Sequence, residues 1–246
     1  MFRTAALVCL LAAAPLSAAD VKVADLKKQS VMIDAGPGYG SGVCVKDGKK
    51  VYVWTCAHVI PDASTVWSIT PEGGLVPVTT PAPAISVVRE AGRDARKTPC
   101  KVIFKDKDHD LALLEVEGED YPVAGGKFAA SVPEDGEKLW HVGSMTGPAG
   151  FNSLAEGVVA ATGRKRKGGR PAEDGVEYDQ VSGTCQRGSS GGPVFRKDTG
   201  ECVGLVSEFL GVDGGTTTPS FGAYCIIPAR RIKEVAKAKG VEFAFK

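Results

Sequence analysis

Three short segments, in a fixed order, carry side chains capable of acyl-transfer chemistry: Trp54-Thr55-Cys56-Ala57-His58-Val59, His109-Asp110-Leu111-Ala112-Leu113-Leu114 and Gly188-Ser189-Ser190-Gly191-Gly192-Pro193. They offer an imidazole, a carboxylate and a hydroxyl. A serine hydroxyl is a poor nucleophile near neutral pH, so it needs a base to take its proton and a third group to orient that base. Around Ser190 the residues Gly188, Gly191 and Gly192 permit unusual backbone angles and close approach of a substrate. Backbone N–H groups turned inward at such a bend can meet the negative charge that develops on a scissile carbonyl oxygen. His58 follows the strand-like run Val51 to Trp54, and Asp110 stands directly before the apolar run Leu111 to Leu114. Taken singly, each is an ordinary turn or core residue; the ordered set of three points to nucleophilic catalysis.

The elements that must position these groups read as strands. Short Val/Ile-rich runs punctuated by Gly, Pro and Asp-Gly recur at Ser41–Lys46, Val51–Thr55, Val66–Thr70, Ile85–Arg89, Lys101–Lys105 and Leu111–Val116. A second set follows at Lys138–Val142, Gly157–Ala161, Val176–Val181, Pro193–Arg196, Cys202–Phe209 and Ala223–Ile227. Many short antiparallel strands imply an all-β sandwich or barrel. The segment Tyr121–Gly136, poor in strand signals, reads as the crossover between two β halves, His58 and Asp110 belonging to the first and Ser190 to the second. Only Ala229–Lys239, between Pro228 and Gly240, has helical punctuation, with Ile232, Val235 and Ala236 on one side. The proline-rich Pro71–Pro83 and the basic Gly163–Gly175 read as exposed loops. His141, inside an apolar stretch, reads as a core residue.

Composition narrows the function class. Residues 1–19 combine Arg3, an apolar run from Ala5 to Leu16 and the small residues Ser17-Ala18-Ala19, the pattern of a secretory signal peptide, too short for a comfortable membrane span. Removing them takes one cation from 30 Lys+Arg and none of the 29 Asp+Glu, leaving a neutral balance that argues against nucleic acid or an anionic membrane as the main partner. Six cysteines remain: Cys44, Cys56, Cys100, Cys185, Cys202 and Cys225. An even number in an exported chain suggests disulfides, with Cys44/Cys56 and Cys202/Cys225 as pairings that spacing hints at and Cys100/Cys185 left over. No two of them have the close spacing of a zinc ribbon, and neither a metal nor an organic cofactor is expected.

The motifs resemble the chymotrypsin-like serine peptidases, specifically the compact bacterial branch similar to the protease domain of HtrA/Deg proteins. The resemblance runs from about Gly40 to Lys237 and rests on Gly40-Ser41-Gly42, Thr55 to Ile60, Asp110 to Leu114, Gly143 to Pro148, Gly157-Val158-Val159, Gly188 to Val194 and Phe221 to Pro228. It implies two six-stranded antiparallel barrels with the site in the cleft between them, a first barrel over about 30–120, a second over about 137–228 and a terminal helix over about 229–239. It also implies His58 as general base, Asp110 as orienting acid, Ser190 as nucleophile and the N–H groups of Gly188 and Ser190 as an oxyanion hole. Thr184 and Cys185 would then lie at the back of the primary pocket and Ser207, Glu208 and Phe209 along its wall, favouring small or medium apolar side chains of polypeptide substrates. Ser189 departs from the Asp or Asn often found there, the cysteines are unusually many, and no residues after the helix are expected to form a PDZ domain. A catalytically silent binding or chaperone-like module on the same barrels is the rival reading.

Overall fold

The computed structural model describes residues 21–89, 95–118, 121–165, 176–209 and 222–245, with the Phe209 side chain left aside. The segment 1–19, the basic residues 166–175 and the glycine-rich 211–215 lie outside the described residues. A short helix α1 (Val23–Lys27) leads into β1 (Ser30–Asp34), β2 (Tyr39–Asp47), β3 (Lys50–Thr55), β4 (Ser64–Ile69), β5 (Leu75–Thr80), β6 (Ile85–Val88), β7 (Lys97–Asp106) and β8 (Leu111–Val116). The second half holds β9 (Lys138–Gly143), β10 (Ser153–Lys165), β11 (Glu177–Gly183), β12 (Pro193–Arg196), β13 (Cys202–Phe209), β14 (Ala223–Pro228) and the helix α2 (Ala229–Ala238). Strands β1-β2-β3-β8-β7-β6 close one antiparallel barrel and β10-β11-β14-β13-β12-β9 close another. The fold is therefore the expected pair of six-stranded barrels with a C-terminal helix.

Near-continuous apolar runs arise because successive residues of one strand point to opposite faces, and here both faces are covered. Val53 and Leu114 fill the first barrel, whereas their neighbours Trp54 and Leu113 turn outward into a cluster shared by the two barrels. In the second barrel Val194 and Ile226 point inward while Phe195 and Ile227 join that same shared cluster. Ile232, Val235 and Ala236 of α2 complete it, so the helix seals the seam between the halves. At about 25 cal/mol per Å² of apolar surface removed from water, this seam contributes as a core does.

Several features differ from the sequence reading. The sixth strand of the first barrel is β1, for which no strand was expected, whereas the expected strand at Val66–Thr70 belongs to a separate two-stranded sheet, β4-β5. Its partner β5 lies in the expected loop Pro71–Pro83, where Pro77 is tolerated because it falls opposite Trp67 without needing to donate to β4. The basic loop also begins later than expected, since β10 runs on to Lys165.

The hinted disulfide pairings are corrected by register. Cys44 lies opposite Val53, three residues short of Cys56, and packs inside the first barrel while Cys56 joins the shared cluster. Gly204 pairs with Pro228, so Cys202 sits five positions from Cys225 along the β13-β14 ladder, about 17 Å at ~3.3 Å per residue, beyond the roughly 7 Å a disulfide spans. None of the six described cysteines forms a disulfide in the structure.

Candidate active site

The pairing of β3 with β8 brings the first two groups together. Thr55 pairs with Ala112, and the chain ends just beyond that pair meet: Ala57 N–H donates to the Asp110 carbonyl oxygen at 3.0 Å. Residues Ala57–Val59 form a single 3-10 turn that swings His58 over the carboxylate. His58 donates its backbone N–H to Asp110 Oδ1 at 3.0 Å, and its Nδ1 lies 3.0 and 2.9 Å from the two carboxylate oxygens. An ionised carboxylate only accepts, so Nδ1 carries the proton and Nε2 is left as the basic nitrogen. Asp110 itself is held at φ +52°, a left-handed angle that non-glycine residues seldom adopt. Burial opposes the charge on Asp110, but hydrogen bonds and the nearby His58 outweigh it and hold the carboxyl below its ordinary value.

The segment around Ser190 is fixed by main-chain bonds. Ser189 N–H donates to Gln186 O (3.0 Å), Gly192 N–H to Ser189 O (2.8 Å) and Gly191 N–H to Val206 O (2.7 Å). Across the seam, Ser41 N–H donates to Ser190 O at 2.8 Å, and Ser41 Oγ donates to Gly188 O at 2.6 Å while accepting from Ser144 N–H at 2.8 Å. Among the described residues no acceptor engages the N–H of Gly188 or of Ser190. Glycine is required at 188 and 191: both have left-handed φ, and a Cβ would stand 2.2 Å from Ser144 O in the first case and 2.2 Å from Thr55 Oγ1 in the second.

His58 and Ser190 share the wall of a cleft of about 420 Å³, together with Tyr39, Pro61, Arg187 and Gly188. The Ser190 hydroxyl donates to Ser207 O at 3.3 Å, and no hydrogen bond joins it to His58 among the described residues.

Of the residues expected to form the specificity pocket, Thr184 is exposed and Cys185 is partly buried against the second barrel's core, its thiol pushed up by burial to about 12. Ser207 has a second position: its Oγ donates to Asp110 Oδ2 at 2.8 Å, making it a support of the carboxylate rather than only a wall residue. Glu208 is half-buried beside it on β13, and the Phe209 side chain lies outside the described part. Both Ser41, quoted only as part of a motif, and Ser207, read only as a pocket wall, take on contacts that motif reading missed: Ser41 grips the Ser190 segment and Ser207 the Asp110 carboxylate. The signal for Ser41 was the Gly40-Ser41-Gly42 motif, whereas nothing local marks Ser207.

His141 is fully buried; its Nδ1 lies 3.1 Å from Pro193 O and its ring packs against Gly143 and Gly192, with burial pushing its pKa down to about 4. Cys56, His58 and Asp110 bring ligand-type atoms within 4.8 Å of one another. Those atoms are otherwise engaged, Cys56 Sγ donating to Val206 O at 3.2 Å, and burial beside Asp110 pushes the thiol well up, away from the thiolate that metals bind. The described residues contain no helix long and apolar enough to cross a membrane.

Known proteins are similar to this chain in sequence and fold. The chain is 32% identical over 205 residues to a "probable periplasmic serine endoprotease DegP-like" of Pseudomonas fulva, covering 82% of this chain and 35% of the relative. It is 26% identical over 196 residues to the periplasmic serine endoprotease DegP of Escherichia coli, covering 80% and 34%. The chain thus spans about a third of the length of these curated relatives. In fold it is similar to the crystal structure of Rv3671c from M. tuberculosis in an inactive form, with a TM-score of 0.64 at 18% identity over 95% of this chain and 97% of that one. The trypsin-like peptidase domain matches residues 40–205, from the strand whose Ser41 grips the Ser190 segment to the strand that carries Ser207. By that match, which takes in the imidazole, the carboxylate and the hydroxyl in order, the chain belongs to the trypsin-like peptidase family.

Proposed function

We propose that the protein is a serine endopeptidase that cleaves polypeptides through an acyl-enzyme. The single observation that carries the reading is the Asp110–His58 pair opening onto the same cleft as the Ser190 hydroxyl. Ser190 Oγ attacks the scissile carbonyl carbon while His58 Nε2 takes its proton, and the same imidazole then delivers that proton to the leaving amine. Water, deprotonated in turn by His58, releases the acyl group and restores the hydroxyl. Asp110 keeps the imidazole in the useful tautomer and stabilises the imidazolium. The unengaged N–H groups of Gly188 and Ser190 receive the oxyanion, where a single lost donor costs ~2.7–4 kcal/mol in comparable enzymes.

The primary pocket, read as Thr184, Cys185 and Ser207 to Phe209, favours small or medium apolar side chains. The signal-like residues 1–19 and the periplasmic relatives support export, and the neutral charge balance supports polypeptide rather than nucleic acid as substrate. The test is labelling by a fluorophosphonate probe, which attacks an activated serine. Wild type labels and hydrolyses peptide amides, while Ser190→Ala does neither and stays folded. Absence of labelling in well-folded wild type would favour the silent binding module.

A further inference from the structure

The β4-β5 hairpin is a second, independent feature of the cleft rim. It leaves the chain at Pro61, itself a wall residue of the cleft, and belongs to neither barrel. Its root is pinned: Lys105 Nζ donates to Ile60 O, and Lys105 and Lys107 reach Asp62 at 2.8 and 2.7 Å. Beyond the root every residue of both strands is exposed, including Trp67 at 68%, Ile69 at 73% and Leu75 at 65%. The twelve strand residues, Ser-Thr-Val-Trp-Ser-Ile and Leu-Val-Pro-Val-Thr-Thr, contain no charge. A two-stranded sheet with no covered face is marginal in water, and sheet edges are usually guarded by charge, bulge or proline.

Here only one edge is guarded. Thr70 N–H donates to Gly74 O, which makes that pair hydrogen-bonded and, by alternation, leaves Ile69/Leu75, Trp67/Pro77 and Thr65/Thr79 as the pairs whose backbone groups point outward. Along β5 the outward position 77 is a proline with no N–H to give. Along β4, Thr65, Trp67 and Ile69 each present an N–H and a carbonyl at an edge that no other strand covers among the described residues.

We infer that the outer edge of β4 is an auxiliary docking strand for substrate, which pairs with an extended, uncharged apolar segment of a polypeptide whose scissile bond lies in the adjoining cleft. The occupant follows from continuity with the cleft through residues 58–61 and from the absence of charge on the strands. Main-chain bonds along β4 supply affinity, and Trp67 and Ile69 supply apolar contact on one face. The inference rests on reading the cleft as a peptidase site.

The test uses the full chain with Ser190→Ala, which holds substrate without cutting it, and fluorescein-labelled, reduced and carboxymethylated lactalbumin as probe, read by anisotropy. Ile69→Pro removes one outward N–H and spares the ladder to β5; Trp67→Lys places a charge on the edge. Each should weaken binding about tenfold, as expected on losing an interface anchor. In the Ser190 protein, the same two substitutions should leave turnover of a short peptide amide unchanged while raising KM for the lactalbumin by a similar factor. Unchanged binding in both variants, or an equal loss on the short peptide, overturns the inference. So does a wild-type oligomer in sedimentation velocity that the substitutions dissociate while lactalbumin binding persists, since the occupant is then a second copy. Hairpin-dependent binding in a protein that fails fluorophosphonate labelling would instead uphold the docking edge and reject the catalytic reading.

Discussion

The two sides of the cleft are held in opposite ways. On the first barrel's side the chemistry is fixed by side chains: the Asp110 carboxylate takes bonds from the His58 backbone, the His58 ring and Ser207 Oγ. On the second barrel's side it is fixed chiefly by main chain, with Ser189, Gly191, Gly192 and Ser41 N–H groups holding the loop, the Ser41 hydroxyl adding a bond to Gly188 O, and glycines admitting the close approach. The contrast teaches where each side is vulnerable. Changing a functional group should cripple the first side without disturbing the fold, whereas adding a single carbon should disrupt the second.

The largest expected effect sharpens this contrast on the side-chain side. Asp110→Asn should keep the fold and reduce kcat by roughly 10⁴, because the amide favours the wrong imidazole tautomer; steady-state rates on a peptide amide check it, and near-normal turnover would remove Asp110 from its assigned role. Gly191→Ala probes the main-chain side. Its Cβ would stand within 2.3 Å of both Thr55 Oγ1 and Ser41 O at φ +81°, so urea unfolding should show a loss of about 4 kcal/mol or more, among the largest single-residue effects.

Next comes His141. Its folded pKa of about 4 lies below the unfolded 6.5, so the unfolded chain binds more protons in between, and stability is full above 6.5 and lost as pH falls toward 4. The loss amounts to about 3 kcal/mol at one unit per ~1.4 kcal/mol. Chemical unfolding at several pH values should show that slope in wild type and a flatter one in His141→Phe. Ser207→Ala, the mildest, removes one bond to a charged group worth ~1.5 kcal/mol, so urea unfolding should show a loss of about that size and kcat/KM should fall about tenfold. A loss as deep as that of Asp110→Asn would make the hydroxyl an equal partner rather than a support.

Much of this was legible in the sequence because the relevant signals are local. The Asp-Gly of the β2-β3 turn, the Val/Ile runs and the Pro228/Gly240 punctuation are all read within a few residues, and so are the three motifs of the cleft. What escaped depended on distant partners. β1, Ser-Val-Met-Ile-Asp, is a short run whose strand character comes from β2 on one side and β6 on the other. Ser207 sits 97 residues from the carboxylate it supports, and only the passage of β13 beside Asp110 reveals that use. The cysteine pairings failed for the same reason, since spacing along the chain carries no register.

Ser41 has a consequence for how the cleft can change. Its main chain and hydroxyl bridge the first barrel to Gly188 and Ser190 and to the strand end at Ser144, so a hinge that parted the barrels would first break these bonds around Ser190. The two halves behind the mouth are thereby tied together as one anvil.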